Sequence, residues 1–142
     1  MDRREFTQLL AAGAAIPLTA LSASGAPAAE AANPIGYFEF TGPNATTLAR
    51  FYADVFGWKT TPGPFPDYHS VANDGGAGIP GGFRQETQPD RVLYIRVPNL
   101  EAAVAKVVAA GGKVLIPPTN VPGVVHFALF EDPQGNRTGV IT

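Results

Sequence analysis

A small set of titratable and hydrogen-bonding residues gives this chain the means for acid–base chemistry. Its two histidines, His69 and His126, are 57 positions apart. Histidine changes its charge near neutral pH and moves protons in catalysis. Tyrosine donates hydrogen bonds to a developing oxyanion, and arginine pairs with a carboxylate or an enolate-like oxygen. The candidate residues are Tyr37, Glu39, His69, Tyr94, Arg96 and His126.

The spacing of the two histidines is part of an internal repeat. Shifting the sequence by 55 or 57 residues superposes Pro43-Asn44 on Pro98-Asn99, His69 on His126 and Gly82 on Gly139. A repeat of this length is too long for a solenoid unit and too short for an ordinary independent domain. We therefore expect two units that share one core across a pseudo-twofold axis. The cleft between them is where a small molecule would bind.

Each repeat reads as a strand, a helix and three further strands. In the first, a strand at 35–41 precedes a helix that Pro43-Asn44 opens and Gly57 ends, followed by strands near 58–61, 67–73 and 79–84. In the second, a strand at 92–97 and a helix that ends at Gly111-Gly112 precede strands near 113–116, 124–130 and 138–141. The predicted fold class is α+β, with two βαβββ units (about 35–84 and 91–142) forming an open, cupped, mixed sheet around a cleft.

Alternation along the strands predicts which side chains face the cleft. In the two first strands, Tyr37 and Glu39 face it together with Tyr94 and Arg96, while the apolar residues between them cover the helices. On the strand at 124–130, we expect the apolar row to face the helix, which points His126 toward the cleft, and the repeat predicts the same for His69. Two aromatic residues are expected near the edges of the cleft: Phe83 and Phe130.

Two short sequence segments resemble those of a known superfamily. ARFYADVFGW (49–58) and EDPQGN (131–136) resemble the first helix and the last turn of the vicinal oxygen chelate superfamily, which includes glyoxalase I, extradiol dioxygenases and bleomycin-resistance proteins. The resemblance covers 35–142. It implies a homodimer, and it leaves the reaction open, because this fold serves many chemistries and some pure binders.

The resemblance also locates where metal ligands would stand. Metal enzymes of this superfamily hold His or Glu at four places, which here correspond to Tyr37, Gly82, Val92 and Gly139. One phenol and three groups without donors do not supply the several nitrogen or oxygen donors that a divalent ion needs. We therefore predict no metal site and no cofactor. A noncanonical site formed by His69, His126 and Glu39 is the alternative.

The first 33 residues predict an export signal. A basic start with Arg3-Arg4 resembles a twin-arginine signal, and an Ala-rich apolar stretch with small residues follows it. We expect the protein to be exported to the periplasm or the exterior, with no membrane attachment after signal removal. Ten Lys and Arg balance twelve Asp and Glu without a basic patch, so nucleic acid is not an expected partner. The chain has no cysteine, which excludes disulfides and thiolate chemistry.

Three functions fit these observations. The first is a metal-independent protein that captures a small hydrophobic or aromatic compound outside the cytoplasm. The second is a metal-free acid–base enzyme of the isomerase, cyclase or lyase type, with His69 or His126 as the base and a Tyr or Arg stabilising an oxyanion. The third is a divalent-metal glyoxalase or dioxygenase, which requires a different strand register.

Overall fold

The computed structural model describes residues 32–72 and 76–142, which carry both predicted units. The predicted export signal lies almost entirely in 1–31, outside the described residues. In the first unit, helix α1 (Ala45–Phe56) accompanies strands β1 (Ile35–Gly42), β2 (Thr60–Pro62), β3 (Tyr68–Val71) and β4 (Gly81–Gln85). In the second, helix α2 (Leu100–Ala109) accompanies strands β5 (Asp90–Arg96), β6 (Lys113–Val121), β7 (Val125–Glu131) and β8 (Arg137–Ile141). The predicted βαβββ order is confirmed in both units.

The eight strands form one open mixed sheet whose two halves meet at β1 and β5. The strand order is β2-β3-β4-β1-β5-β8-β7-β6. β1 pairs antiparallel with β5, and each of them pairs in parallel with the last strand of its own unit. Phe38 lies opposite Leu93, and these two residues are equivalent in the repeat of 55. The pseudo-twofold axis therefore passes between them, and the predicted α+β architecture is confirmed.

Both helices begin and end as their sequences indicate. The side chains of Asn44 and Asn99 accept hydrogen bonds from the backbone N–H three residues later, at 2.9 Å in each case. An N-cap of this kind satisfies a backbone donor that has no partner within the helix. Gly57 ends α1 in the left-handed region with φ of 70°, where glycine avoids the steric cost of a side chain. Helix α2 ends at Ala109 with Ala110 as its C-cap, directly before the predicted stop at Gly111-Gly112.

One face of the sheet packs against the helices. In the first unit, Phe38 and Phe83 form a core with Ala49 of α1, and the rings of Tyr52 and Trp58 pack onto it. The corresponding core of the second unit contains Val97, Leu100, Ala128 and Val140. Within the described residues, neither helix is long and apolar enough to cross a bilayer.

The opposite, concave face of the sheet is also partly apolar, and this corrects the predicted orientation of β7. Leu129 packs there with Val92 and Ile141, joined by Val125 and Phe127. The small Ala128 instead packs beneath Leu100 of α2. Apolar side chains occur on both sides of this strand, so apolarity did not identify the helix side. Since the side-chain period is two, the error reverses every residue of β7.

Candidate functional site

The concave face of the sheet contains a cavity of about 570 Å³ that spans both units. Its polar wall comes mostly from the first unit and includes Tyr37, Glu39, Tyr68 and Arg84. Its apolar wall comes from the second unit and includes Val121, Val125, Phe127 and Ile141. Phe65 and Val124, which are 42% and 46% exposed, add apolar surface from the β2–β3 and β6–β7 connections. The volume is in the range of small-molecule sites.

A buried carboxyl group and three tyrosines form the polar wall. The Tyr68 hydroxyl donates to Glu39 Oε2 at 3.3 Å and lies 2.6 Å from the Tyr37 hydroxyl. The Tyr94 ring meets the Tyr37 ring edge to face, with 6.0 Å between centroids. Burial raises the pKa of Glu39, and the Arg84 charge and the Tyr68 hydrogen bond only partly oppose that effect. Burial also raises the pKa of all three phenols, so they are neutral hydrogen-bonding groups at physiological pH.

Arg84 compensates the charge of Glu39. Its Nε lies 3.1 Å from Glu39 Oε1, and its Nη1 lies 3.2 Å from Oε1 of Glu86. The first contact is an ion pair without hydrogen-bond geometry, because neither Nε nor Oε1 has a hydrogen-bond partner among the described residues. Both atoms are shielded from solvent, so a ligand meets the outer end of the Arg84 side chain rather than this contact.

Two tyrosine rings lie directly over the glycines at which the superfamily would carry metal ligands. A Cβ atom at Gly139 would come within 2.1 Å of Cδ1 of Tyr94, and one at Gly82 within 2.1 Å of the Tyr68 hydroxyl. Gly63 also makes room for Tyr68, because a Cβ atom there would lie 2.3 Å from its ring. A His or Glu at Gly82 or Gly139 therefore requires the overlying ring to move.

The residues present do not fit the metal ion of the superfamily. Of the other two ligand positions, Val92 is buried among apolar side chains and Tyr37 hydrogen-bonds Tyr68. No group of three or more His, Cys, Asp or Glu side chains in 32–72 and 76–142 is arranged to hold a metal. The alternative site of His69, His126 and Glu39 does not form, because both histidines lie on the other face of the sheet from Glu39.

Four predicted site residues line the cavity: Tyr37, Glu39, Tyr94 and Arg96. The prediction that the histidines face the cleft is wrong. His69 Nε2 lies 3.2 Å from the Thr46 hydroxyl in the first turn of α1. His126 Nε2 lies 3.5 Å from Glu101 Oε1 in the first turn of α2. Thr46 and Glu101 are equivalent in the repeat of 55, so the histidines do share an environment, but on the helix side.

The two predicted edge phenylalanines also lie on the helix side. Phe83 is fully buried in the first core, where its ring stacks on those of Tyr52 and Trp58. Phe130 packs against the core of the second unit. For Phe83 the cause is the glycine beside it: Gly82 is on the cavity side beneath Tyr68, so the next residue must point to the helices.

Tyr68 and Arg84 also line the cavity, although the sequence did not predict them there. Tyr68 precedes His69 on β3, and neighbouring residues of a strand point to opposite faces. Predicting the histidine on the cleft side therefore placed the tyrosine on the helix side. Val71 on the same strand packs in the helix-side core and places His69 there as well, because the two residues are two apart. Arg84 follows Gly82 by two residues and faces the cavity for the same reason.

The fold agrees with comparisons to known proteins. Residues 38–141 match the model of the glyoxalase-like domain. The chain therefore belongs to the glyoxalase-like domain family, and its fold is that of the vicinal oxygen chelate superfamily, as predicted.

Three relatives illustrate the family. "Putative glyoxylase CFP32" of Mycobacterium tuberculosis is 30% identical over 100 residues, which cover 64% of this chain and 38% of that protein. Anthracycline biosynthesis protein DnrV of Streptomyces peucetius is 27% identical over 118 residues, which cover 70% of this chain and 43% of DnrV. The chain thus spans about two fifths of the length of these two relatives. A glyoxylase-like domain-containing protein of Didymella fabae is 28% identical, with coverage of 76% of this chain and 92% of that protein.

Among solved structures, methylmalonyl-CoA epimerase from Mycobacterium tuberculosis superposes with a TM-score of 0.64. The alignment covers 81% of this chain and 91% of the epimerase at 12% identity. The hypothetical protein BH1468 from Bacillus halodurans superposes with a TM-score of 0.63 at 10% identity, covering 78% of this chain and 94% of that protein. At these identities the likeness concerns the fold alone.

The close packing of Tyr94 on Gly139 predicts a measurable coupling. Gly139→Ala forces Cβ into the base of the ring, so we expect the free energy of unfolding to fall by about 1–3 kcal/mol. In a Tyr94→Leu background the same change should cost much less. Gly78→Ala is the matched control, because nothing lies within 4 Å of a Cβ there, and it should change stability by at most about 0.5 kcal/mol. Denaturant unfolding of the intact protein and the four variants measures these three changes, and equal losses at the two glycines would contradict the packing described.

Proposed function

We propose that this chain is a metal-independent small-molecule-binding protein that captures a partly aromatic or hydrophobic compound in the concave cavity. The observation that carries the proposal is the packing of Tyr68 and Tyr94 over Gly82 and Gly139. The rings occupy the space next to the positions at which metal ligands would stand, and they turn that space into one wall of a binding cavity. Ring faces and phenol hydroxyls suit a ligand that is mostly apolar and carries a few polar groups.

The apolar wall supports the same class of ligand. Val121, Val125 and Phe127 present aliphatic and aromatic surface opposite the phenols. Exposed apolar residues at the rim, such as Phe65, lose contact with water when such a ligand binds. The name of DnrV associates that relative with anthracycline biosynthesis. Anthracyclines are fused-ring aromatic compounds, and an apolar wall of this kind would accommodate a ligand of comparable character.

A cavity-filling substitution tests this function with a neutral aromatic probe, 2-naphthamide. Val125→Trp places a large side chain in the cavity, so we expect the dissociation constant to rise at least about tenfold. Val108→Trp is the matched control, since Val108 is 56% exposed on α2, away from the cavity. The affinity of the unmodified protein should be the same with and without EDTA. Calorimetric titration gives these constants.

Two results would refute this function. One is probe binding that survives Val125→Trp unchanged, which would place the probe outside the cavity. The other is probe binding that disappears with EDTA and returns with a divalent ion.

A second candidate function, metal-free proton transfer, is favoured by one observation, the hydrogen-bond chain Tyr37–Tyr68–Glu39. A ligand proton acquired by Tyr37 would be balanced by transfer of the Tyr37 proton to Tyr68 and of the Tyr68 proton to Glu39. A raised pKa suits Glu39 to accept that proton near neutral pH. The histidines are not assigned this role, since both face the helices.

Deuterium exchange tests the proton-transfer function. The probe is 1-(naphthalen-2-yl)butane-1,3-dione, whose central CH₂ exchanges with solvent deuterium when a base removes its proton. An enzyme should accelerate the exchange, and Tyr68→Phe should lower that acceleration by about a hundredfold or more while the probe still binds. Tyr52→Phe, on the helix side, is the control. Exchange at the buffer rate, or an acceleration indifferent to Tyr68→Phe, would exclude this function.

We also propose that the protein is exported and dimeric. Arg3-Arg4 and the apolar stretch that follows support export, and retention of the full chain in the cytoplasm with Arg3 and Arg4 intact would refute it.

Three exposed apolar residues of α1, Phe51, Val55 and Phe56, support a covering partner, here a second copy. A monomer mass by sedimentation would refute the dimer.

A further inference from the structure

The charged groups of the cavity do not balance one another. Three charged side chains line it: Glu39, Arg84 and Arg96. Glu39 is buried, and it is paired with Arg84 and hydrogen-bonded by Tyr68. Arg84 is also paired with Glu86 outside the cavity. The first two charges therefore compensate each other, and Arg96 contributes a positive charge that no residue of this group neutralises.

Arg96 has no carboxylate partner within 32–72 and 76–142. The ion pairs of the other cavity arginine and of Arg137 use Glu39, Glu86 and Asp90, and none of these carboxylates is shared with Arg96. The backbone N–H of Arg96 donates to Pro34 O at 2.8 Å, which fixes the end of β5 against the start of β1. The guanidinium group thus begins from a well-anchored position and retains its donors for another molecule.

The neighbouring strand leaves space for this side chain. A Cβ atom at Gly36 would lie 3.0 Å from Arg96 Nε and 3.2 Å from its Cβ. The Arg96 side chain therefore packs directly against the backbone of β1 at Gly36, where a residue with a Cβ atom would crowd it. Gly36 does not have a positive φ, so close approach, and not backbone conformation, is what glycine provides here.

The remaining polar groups of the cavity are mainly donors. Arg84 and Arg96 carry only N–H donors, and the phenol of Tyr94 adds an O–H group, whereas the single proton of Tyr37 is donated to Tyr68. The one carboxylate side chain that lines the cavity, Glu39, has Oε2 engaged by Tyr68 and Oε1 shielded against Arg84. A ligand therefore meets an excess of side-chain donors and the unpaired charge of Arg96, and a polar acceptor with negative charge complements both.

We propose that the cavity selects organic anions, namely aromatic or aliphatic compounds with a carboxylate or enolate group. Arg96 pairs with the anionic oxygens while the Val and Phe wall receives the apolar body. This inference rests on the proposed binding function and adds the charge of the ligand. Arginine suits the role because its planar fork forms two parallel hydrogen bonds to a carboxylate.

The test compares two probes of nearly equal shape, the anion 2-naphthoate and the neutral 2-naphthamide. The intact protein should bind naphthoate roughly fivefold more tightly, a modest ratio because Arg96 is exposed to solvent. Arg96→Gln should bring the ratio of the two affinities close to one. Arg96→Lys should retain part of the preference, since it keeps the charge and loses the fork.

Arg91→Gln is the matched control for the loss of one positive charge. Arg91 lies on the same strand, over the ring of Phe40 on the helix side, with 5.1 Å between the guanidinium carbon and the ring centroid. This variant should keep the naphthoate preference. Raising the NaCl concentration should weaken naphthoate binding by the intact protein and leave naphthamide binding unchanged.

The possible failures are distinguishable. Equal binding of the two probes, with both lost in Val125→Trp, would overturn the anion preference and leave the binding function standing. A naphthoate preference that Arg91→Gln abolishes and Arg96→Gln does not would also overturn it. Failure of both probes to bind, or binding indifferent to Val125→Trp, would overturn the binding function and this inference together.

Discussion

The antiparallel pairing of β1 with β5 is the contact on which the rest of the structure depends. Phe38 and Leu93, equivalent in the repeat, lie opposite each other on the pseudo-twofold axis. That register places Tyr37 opposite Tyr94 and Glu39 opposite Val92. A slip of one residue would exchange the helix side and the cavity side along the strand. The register thus determines at once the continuity of the eight-stranded sheet, the burial of the phenylalanines beneath the helices and the composition of the polar wall.

The site follows from what this register places over two glycines. Tyrosine rings fill the space above Gly82 and Gly139, and the absence of side chains on these glycines is what permits the rings to pack there. The rings and the buried Glu39 form a compact hydrogen-bonded wall, with the charge of Glu39 compensated by Arg84. The repeat is not symmetric here, because the second unit contributes apolar residues to the opposite wall. The sheet thus carries one cavity with a polar wall and an apolar wall.

Much of the fold could be predicted because its signals are local. Asn44, Asn99 and Gly57 mark helix ends through hydrogen bonds and a left-handed conformation that depend on a few neighbouring residues. The faces of β1 were predictable because its phenylalanines alternate with polar residues. β7 was not, because Phe127 and Phe130 are both apolar and yet face opposite sides of the sheet. Which side needs a small residue depends on Leu100, whose contact with Ala128 is long-range and leaves no local pattern.

The same ambiguity explains the errors at the site. The prediction reversed the two faces of β7, and the repeat extended the same error to β3. Both His126 and His69 were therefore predicted on the cleft side, and Tyr68, the neighbour of His69, was not. The glycines carry a stronger signal: Gly63 and Gly82 leave space for the ring of Tyr68, Gly139 leaves space for the ring of Tyr94, and both rings line the cavity. Glycine in a strand often marks close approach of another group. Identifying that group requires the pairing of β3 with β4 and of β5 with β8, which the sequence does not state.

Calorimetric titration of the metal-free chain with Zn²⁺, Mn²⁺, Ni²⁺ and Fe²⁺ tests most directly whether a tyrosine wall stands where the superfamily would bind a metal ion. We expect no saturable site for any of these ions and unchanged 2-naphthamide binding in their presence. Saturation at one ion per chain that Glu39→Gln or Tyr37→Phe abolishes would contradict this expectation, because that ion would occupy the polar wall itself.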